Sequence, residues 1–362
     1  MSVTVGGRAV VVLALVVAGA TGSQADRARS PRKQAQRSPA QLEPRLVIGE
    51  FRLTKVVDGD TIKVSGLDSS LRLLGIDTEE TFKSAADRRA AAAGLGPYMT
   101  AKRGAAPRPV KMATPMGEQA KDFAERFFAG VDTVRLERDH PAERRDRYNR
   151  ILAYVFVKRD GAWLSYNVAC VRAGMAPYFP KYGRSRRFHA DFVAAEAEAK
   201  REQLGIWAPG APGYPDYPER EAWWAARGDF VEAFRTAAEH NPSYVDLTHD
   251  DAMQRLEALV GTPVVVLGIV GDVTISVTGP SKVTLARRVS DDFPLVFFDR
   301  GVLTSSGISA WRGEPAMVSG TPTMYENKRD HRKQLQLVIE RATQVRLAPL
   351  PGLAPPTTRE AP

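Results

Sequence analysis

Two segments of the chain carry carboxylates in a spacing that could bind a hard cation. Residues 56–61 read VVDGDT, so Asp58 and Asp60 flank a glycine where an extended segment bends. Residues 72–81 read RLLGIDTEET, so a segment that begins at Arg72 ends in Asp77 and further oxygen-bearing side chains. Oxygen donors of this kind are the ligands that Ca²⁺ prefers. Taken alone, each segment is more often a plain β-turn or a solvated charged loop.

A third segment places arginines at the start of an apolar strand. Residues 144–157 read RRDRYNRILAYVFV, in which a polar turn leads into the strand at Arg150. A guanidinium in this position can hold a phosphate through two parallel hydrogen bonds. The alternative is a hairpin turn with surface arginines.

The pattern around these segments predicts a small α+β domain over residues 46–208, built on a barrel-like sheet. Helical spacing of apolar side chains marks 120–128 and 188–199. Alternation or a short apolar run predicts strands at 46–57, 61–64, 71–77, 131–137 and 150–158.

The three segments, in this order and followed by VRAGMA and KREQLGIW, resemble the staphylococcal-nuclease-like family, also called thermonucleases. The resemblance spans about residues 50–207, close to half of the chain. It implies an OB-type five-stranded barrel with three helices. It also implies a calcium-dependent nuclease that acts on DNA and RNA.

The resemblance assigns a metal site to the two carboxylate segments. It implies that Asp60 and Asp77 supply carboxylate ligands to calcium and that Thr78 supplies its backbone carbonyl. Asp58 is expected near the metal, outside its direct ligands. A bound calcium would act as a Lewis acid and as a template for the substrate.

The resemblance also assigns the residues that would handle the phosphate. Arg72 and Arg150 are implied to contact the scissile phosphate, where their fixed forks and permanent charge stabilise developing negative charge. Glu80 is the candidate general base beside the attacking water. Tyr182 matches a tyrosine of the nucleotide pocket through a loose alignment.

The sequence departs from the family pattern at three places. Glu79 stands where the family usually has proline, which predicts an added charge beside the metal and a looser turn. Asn149 replaces the usual glycine before Arg150, and asparagine tolerates a left-handed backbone. Residues 82–116 form a longer, basic insertion, which is either a flap over the substrate or an unstructured surface loop.

Residues 209–218, PGAPGYPDYP, predict a linker to a second domain over 219–348. Helices come first, and five strands then resemble a second OB-like β-barrel by pattern alone. Its loop from Tyr325 to Lys333 carries four basic residues that could track phosphates, or that could keep a hairpin edge soluble. These basic residues are Lys328, Arg329, Arg332 and Lys333. The histidines His240, His249 and His331 are scattered and predict ordinary surface or capping roles.

The chain ends predict export. Residues 1–25 have the layout of a cleaved secretory signal peptide, so a secreted or periplasmic location is expected, with an uncleaved membrane anchor as the alternative. Residues 26–45 predict a disordered basic linker, and 349–362 a disordered tail. The single cysteine, Cys170, excludes an internal disulfide and a Cys-rich zinc site. The net charge of +9 over 362 residues is ordinary, so it is weak support for a polyanionic partner.

Together these features predict an exported, metal-dependent nuclease with an accessory domain that holds nucleic acid. Two alternatives remain at this stage. One is a catalytically inactive nucleic-acid-binding protein. Inactive relatives are expected to lose some of the catalytic set, and this chain keeps all five members, Asp60, Arg72, Asp77, Glu80 and Arg150. The other is an interaction protein whose second domain binds another protein. The sequence leaves open the preference for DNA or RNA, endo- or exonucleolytic cleavage, protein partners and the oligomeric state.

Overall fold

A computed structural model of the protein describes residues 43–146, 148–286, 292–327 and 331–352. The predicted signal peptide, most of the predicted basic linker and residues 353–362 of the predicted tail lie outside the described residues. Within the described ranges, no helix is both long and apolar enough to cross a membrane.

The first half contains eight strands and five helices among its described residues. The strands are β1 (Val47–Asp58), β2 (Thr61–Val64), β3 (Leu71–Leu73), β4 (Gly75–Ile76), β5 (Thr133–Glu137), β6 (Ile151–Arg159), β7 (Ala162–Ser165) and β8 (Tyr178–Phe179). The helices are α1 (Ala85–Ala93), α2 (Leu95–Arg103), α3 (Pro115–Phe127), α4 (Tyr166–Arg172) and α5 (His189–Arg201). A 3₁₀ turn, Pro44–Leu46, precedes β1, so the predicted disordered linker ends before residue 45.

The main sheet has the order β2-β1-β5-β6-β3, with β7 added to β6. The pairs along this order are antiparallel except β3 with β6, which is parallel. The two ends of the order, β2 and β3, contact each other, so the sheet curls back on itself. Four of the five predicted strands are therefore confirmed. The fifth, predicted over 71–77, is divided into β3 and β4, and β4 pairs with β8 in a separate two-stranded sheet.

The apolar core of this half lies inside the curled sheet and beneath α3, α4 and α5. β6 is buried along seven successive residues, because one face packs inward and the other is covered by helices. Helix α3 begins where Thr114 accepts a hydrogen bond from the Gly117 amide and where proline occupies the first helical position. Its buried residues Met116, Ala120 and Ala124 recur at helical spacing.

The basic insertion is folded, so the interpretation that it is an unstructured surface loop is wrong. Residues 82–116 hold α1 and α2 rather than an unstructured loop, and they raise the helices of this half from the three expected to five. Ser84 caps α1 by accepting hydrogen bonds from the amides of Ala86 and Asp87. The alanine-rich sequence that follows favours the helix.

The second half contains eight further strands and three helices among its described residues. The strands are β9 (Tyr244–Asp246), β10 (Val264–Thr274), β11 (Ser281–Ala286), β12 (Phe293–Phe297), β13 (Pro315–Gly320), β14 (Pro322–Glu326), β15 (Lys333–Val338) and β16 (Val345–Leu347). The helices are α6 (Tyr217–Ala238), α7 (Ala252–Ala258) and α8 (Arg300–Ser306).

The second sheet repeats the pairing scheme of the first. β10, β11 and β12 form an antiparallel meander, and β12 pairs with β15 in parallel, as β3 does with β6. The fourth strand predicted for this half is divided into β13 and β14. β13 pairs with β10, and β14 pairs with β15. The fifth predicted strand is likewise divided, into β15 and β16, and β16 pairs with β13. A further strand that was not predicted, β9, pairs in parallel with β10.

Two predicted disordered or linking segments are packed instead. Leu350 is 3% exposed and joins the second core, so the predicted tail begins at least two residues too early. The predicted linker 209–218 contributes Tyr214 and Tyr217 to a third core cluster, and α6 begins inside it at Tyr217. Tyr214 and Tyr217 of the linker and Leu350 of the tail pack into apolar cores, which the proline and glycine content of these segments did not reveal.

A buried charge cluster joins the two halves. Arg235 of α6 lies 3.2 Å from Glu143 and Arg186 lies 3.6 Å from it. His249 lies 3.7 Å from the same carboxylate, and its ring stacks on His140 at 4.6 Å. His249 is thus part of a junction, rather than the ordinary surface or capping residue that the sequence predicted. Burial alone would raise the pKa of Glu143, but the nearby His249 ring and the charge of Arg235 hold it at about 2.

We expect this cluster to make the stability of the junction depend on pH. The folded-state pKa of Glu143, about 2, lies below its ordinary value of 4.5. Its stabilising contribution is therefore complete above about pH 4.5 and is lost as the pH falls toward 2. At neutral pH, Glu143→Gln should lower the free energy of unfolding by roughly 3 kcal/mol, because it leaves Arg235 without its buried partner.

The measurement is thermal unfolding from pH 6 to pH 2 for the natural chain and for Glu143→Gln. Other carboxylates titrate equally in both proteins, so the difference between their melting temperatures isolates Glu143. That difference should shrink as the pH falls. A difference that stays constant across the range would contradict this assignment.

Candidate active site

Four separate parts of the first half bring the predicted site residues together. Asp58 ends β1, and Asp60 lies in the turn before β2. Arg72 is the central residue of β3, and Asp77 directly follows β4. Arg150 directly precedes β6, the parallel neighbour of β3 in which Leu152 faces Arg72. The parallel pairing therefore places the two arginines at the same end of the sheet.

The turn between Asp58 and Asp60 depends on a close approach of the chain to its neighbours. A Cβ atom at Gly59 would lie 2.7 Å from Thr78 Cγ2 and 2.8 Å from Ala120 Cβ. The hydroxyl of Tyr166 donates a hydrogen bond to the Gly59 carbonyl at 2.5 Å. Glycine is therefore required here for packing, and the turn is held from both sides.

Arg72 joins the two predicted metal ligands. Its guanidinium donates to Asp60 Oδ2 at 2.7 Å and to Asp77 Oδ1 at 2.5 Å. Burial alone would lower the pKa of Arg72, but the charges of Asp60 and Asp77 outweigh it and raise the pKa. Burial would likewise raise the pKa of Asp77, yet the cations Lys111 and Arg72 hold it at about 2. Both carboxylates are therefore set in a fixed orientation toward one arginine.

Arg150 is oriented by a buried carboxylate. Its Nε and Nη2 donate to Asp146 Oδ2 at 2.9 and 2.6 Å. The hydroxyl of Tyr182 lies 3.4 Å from the same oxygen, so this tyrosine stands behind Arg150. Asn149 has a φ of 63°, which confirms the prediction that it adopts a left-handed backbone. The Arg150 side chain remains 28% exposed and can reach a ligand.

Most of the predicted site residues open onto one polar cleft of about 250 Å³. It is lined by Asp58, Asp60, Thr61, Arg72, Asp77, Glu80, Lys83, Lys111, Arg150, Phe179 and Lys181. Tyr182 does not line this cleft, and it borders a small neighbouring cavity. Five of the predicted site residues, together with Asp58, thus face a single space.

Asp58 has an unsatisfied oxygen at the cleft. Its Oδ1 is buried without a hydrogen-bond partner among the described residues. Burial and the nearby charge of Asp60 raise the pKa of Asp58 to about 6. Asp58, Asp60, Asp77 and Glu80 all face the cleft, and the Thr78 amide donates a hydrogen bond to Asp60 Oδ2 at 3.3 Å. This oxygen-rich set, with one orphaned acceptor, fits a hard divalent cation such as calcium.

Three lysines that line the cleft, Lys83, Lys111 and Lys181, were not among the site residues assigned from the sequence. Lys111 comes from the insertion, and its Nζ lies 2.5 Å from Asp77 Oδ1 and 3.9 Å from Glu80 Oε1. Burial and the nearby charge of Arg72 lower the pKa of Lys181 to about 7. The basic composition of the insertion was the available signal for Lys111. Nothing in the local sequence singled out Lys181.

Glu79 does not add its charge to the cleft, which corrects the prediction from sequence. Its side chain turns away and is buried, with 2% of the residue exposed. It accepts hydrogen bonds from the Tyr214 amide at 2.9 Å, from the Tyr217 hydroxyl at 2.8 Å and from the Thr114 hydroxyl. A Cβ at Gly213 would lie 2.5 Å from Glu79 Oε1, so the segment before α6 passes directly over this carboxylate.

The predicted nucleic-acid loop of the second half lies only partly within the described residues. Lys328 and Arg329 fall outside them. Lys333 begins β15, where it pairs with Glu326 across the hairpin. Arg332 accepts a backbone hydrogen bond from Asn327. None of the described residues of this loop lines the cleft.

Comparison with known proteins agrees with the motifs that surround the cleft. The family described as "Staphylococcal nuclease homologue" matches residues 70–209. The thermonuclease of Staphylococcus intermedius is 31% identical over 166 residues, which cover 44% of this chain and 78% of that protein. The chain belongs to the staphylococcal nuclease family. Membership implies an OB-type fold for the matched half, in agreement with its curled sheet and packed helices.

Other relatives of this staphylococcal nuclease family member cover a similar share of the chain. An uncharacterized protein of Methanocaldococcus jannaschii is 31% identical over 159 residues, which cover 43% of this chain and 70% of that protein. The SPbeta prophage-derived endonuclease YokF of Bacillus subtilis is 32% identical over 161 residues, 44% of each chain. The family match ends at residue 209, so α6 and the whole second sheet lie beyond it.

Proposed function

We propose that the protein is an exported nuclease that hydrolyses phosphodiester bonds of DNA, RNA or both with the help of calcium. The observation that carries the proposal is the joint placement of Asp60, Arg72, Asp77, Glu80 and Arg150 around one cleft. The names of the relatives, thermonuclease and endonuclease, support the same activity.

The metal site of the proposal consists of oxygen donors. Asp60, Asp77 and the backbone carbonyl of Thr78 would hold calcium, and Asp58 would stand close by with its unsatisfied oxygen. When bound, calcium supplies Lewis acidity toward the phosphate and the attacking water.

The chain's own residues would prepare the phosphate and the water. Arg72 and Arg150 donate to phosphoryl oxygens from two sides and stabilise the charge that grows in the transition state. Asp146 holds Arg150 in place for this task. Glu80, whose side chain is 35% exposed, accepts a proton from water as the general base. Tyr182, behind Arg150, is the proposed boundary of the nucleotide pocket.

The second half would hold the nucleic acid. Its strands follow the pairing scheme of the first sheet, which supports a second OB-like barrel, a fold that often binds single strands. Lys328, Arg329, Arg332 and Lys333 remain the proposed phosphate-tracking residues. A cleaved signal peptide, and hence a secreted or periplasmic location, is part of the same proposal.

The decisive experiment incubates residues 43–362 with single-stranded DNA, duplex DNA and RNA. Each substrate is tested with calcium, with magnesium and with a chelator. An Arg150→Ala protein, purified in the same way, reveals any contaminating nuclease. We expect cleavage in calcium that the chelator abolishes and that the variant lacks.

Two other results would overturn the proposal in different ways. Cleavage that survives the chelator would remove calcium from the mechanism. Tight, salt-sensitive binding without cleavage under any metal would instead show an inactive nucleic-acid-binding protein.

A further inference from the structure

The insertion and the second half, both absent from the expected family pattern, meet at the cleft. Residues 104–113, here called the strap, follow α2. They run back toward the cleft, where Ala113 forms an isolated β-bridge with Glu80. The strap carries Lys111 into the cleft. Residues beyond the family match hold it along its length.

The backbone on both sides of Lys111 is fixed by Arg220 in the first turn of α6 and by Tyr214 in the segment just before it. Arg220 Nη2 donates to the Val110 carbonyl at 2.7 Å. The Tyr214 hydroxyl accepts from the Met112 amide at 3.0 Å and donates to the Met112 carbonyl at 2.8 Å. These contacts fix the backbone immediately before and after Lys111, and its side chain reaches Asp77 in the cleft.

Ion pairs secure the rest of the strap. Arg108 lies 2.5 Å from Glu314, which is 2% exposed at the start of β13. Just before the strap, Arg103 lies 3.1 Å from Asp216 and 2.9 Å from Glu219. The strap is therefore anchored at residues 108, 110 and 112, and by Arg103 directly before it, and Lys111 is its residue in the cleft.

The chemistry of the cleft indicates what Lys111 meets there. Its side chain is 45% exposed and shares the cleft with four other cations, Arg72, Lys83, Arg150 and Lys181. Five cations around one opening suit a ligand with several anionic oxygens, and an ammonium on a flexible side chain can follow a phosphate as a point charge.

We infer that Lys111 is a third phosphate-binding residue of the active site, and that α6 and the second half hold the strap so that Lys111 reaches the nucleic-acid backbone. The second half would then complete the active site as well as bind substrate. The inference rests on the proposed function for the identity of its ligand, a phosphodiester of a single strand.

The test measures binding of a four-nucleotide single-stranded oligothymidylate, in a chelator, over a range of salt concentrations. Lys111→Met is compared with Lys102→Met, whose ammonium is 41% exposed and pairs with Asp87 outside the cleft. We expect Lys111→Met to lower affinity roughly tenfold. It should also reduce the slope of log affinity against log salt by about 0.7, the contribution of one phosphate contact. Lys102→Met should leave both unchanged.

A double-mutant cycle tests the role of the strap. Tyr214→Phe removes only the hydroxyl that holds Met112, so it should weaken binding by a smaller factor without changing the salt slope. In the double variant with Lys111→Met, it should cause no further loss, since both changes act through one ammonium. Additive losses would overturn the positioning role of α6.

Two binding results would overturn the phosphate contact itself. One is a salt slope in Lys111→Met equal to that of the natural chain. The other is unchanged oligonucleotide affinity with tighter calcium binding, which would mean that Lys111 only guards Asp77. If the natural chain cleaves nothing, the proposed function fails while the slopes still decide the role of Lys111. If the natural chain cleaves nucleic acid but its salt slope equals that of Lys111→Met, only the inference fails.

Discussion

Arg150→Ala should reduce the turnover of nucleic acid by about 10²–10³-fold, the usual loss when one preorganised donor to a developing anion is removed. The effect should fall mainly on kcat, because the guanidinium gains most when charge builds on the phosphate. Arg150→Lys should recover little activity, since an ammonium cannot reproduce the fork that now meets Asp146. Initial rates on a labelled oligonucleotide in calcium give the comparison.

Folding should account for little of that loss. Asp146 would still accept hydrogen bonds from the amides of Tyr148 and Arg150, so the expected cost to stability is about 1 kcal/mol. Arg172→Ala is the matched control, because its side chain is 32% exposed and pairs with Glu198 on a neighbouring helix. A cleavage rate in Arg150→Ala within a factor of three of this control would refute the assigned role.

Glu79→Pro should lower the free energy of unfolding by roughly 3–5 kcal/mol, although proline is the residue that the family pattern favours here. The substitution removes a buried carboxylate that accepts three hydrogen bonds and leaves the Tyr217 hydroxyl and the Tyr214 amide without their acceptor. Hydrogen bonds to a charged group contribute about 1.5–3 kcal/mol each, and neighbouring losses are not additive. The segment before α6 should detach first.

Thermal unfolding and limited proteolysis would measure this effect. The fluorescence of Trp207 offers a local probe, since its ring lies 5.2 Å from that of Tyr217. Glu79→Gln keeps the shape and most of the acceptors, so it should cost less. Glu125→Ala removes an exposed carboxylate from α3 and should change stability by less than about 0.5 kcal/mol. A Glu79→Pro protein as stable as Glu125→Ala would show that the contacts of Glu79 do not hold the linker.

The difference between Glu79 and its neighbours shows how a single strand end can serve two purposes. Asp77 and Glu80 face the cleft, whereas Glu79 between them faces the segment that leads to α6. Sequence reasoning placed all of these charges at the metal, because it had no information about what packs behind the strand. The carboxylate that seemed to disturb the metal site instead anchors the second half.

The family, most strands of the first sheet, and the carboxylates and two arginines at the cleft could be predicted from the sequence alone. These follow from local patterns, namely the alternation of β-strands and motifs whose spacing is read along the chain. The left-handed turn at Asn149 also followed from residue type alone.

The roles of the insertion, the linker and the charges of the second half follow from long-range packing and could not be predicted from the sequence. Lys111 reaches Asp77 across 34 residues of sequence, and Tyr217 reaches Glu79 across 138. Contacts of this range depend on which apolar and aromatic faces pack together, and no local propensity encodes that choice. The sequence thus specified the chemistry of the cleft, whereas long-range packing decided that the second half helps to build it.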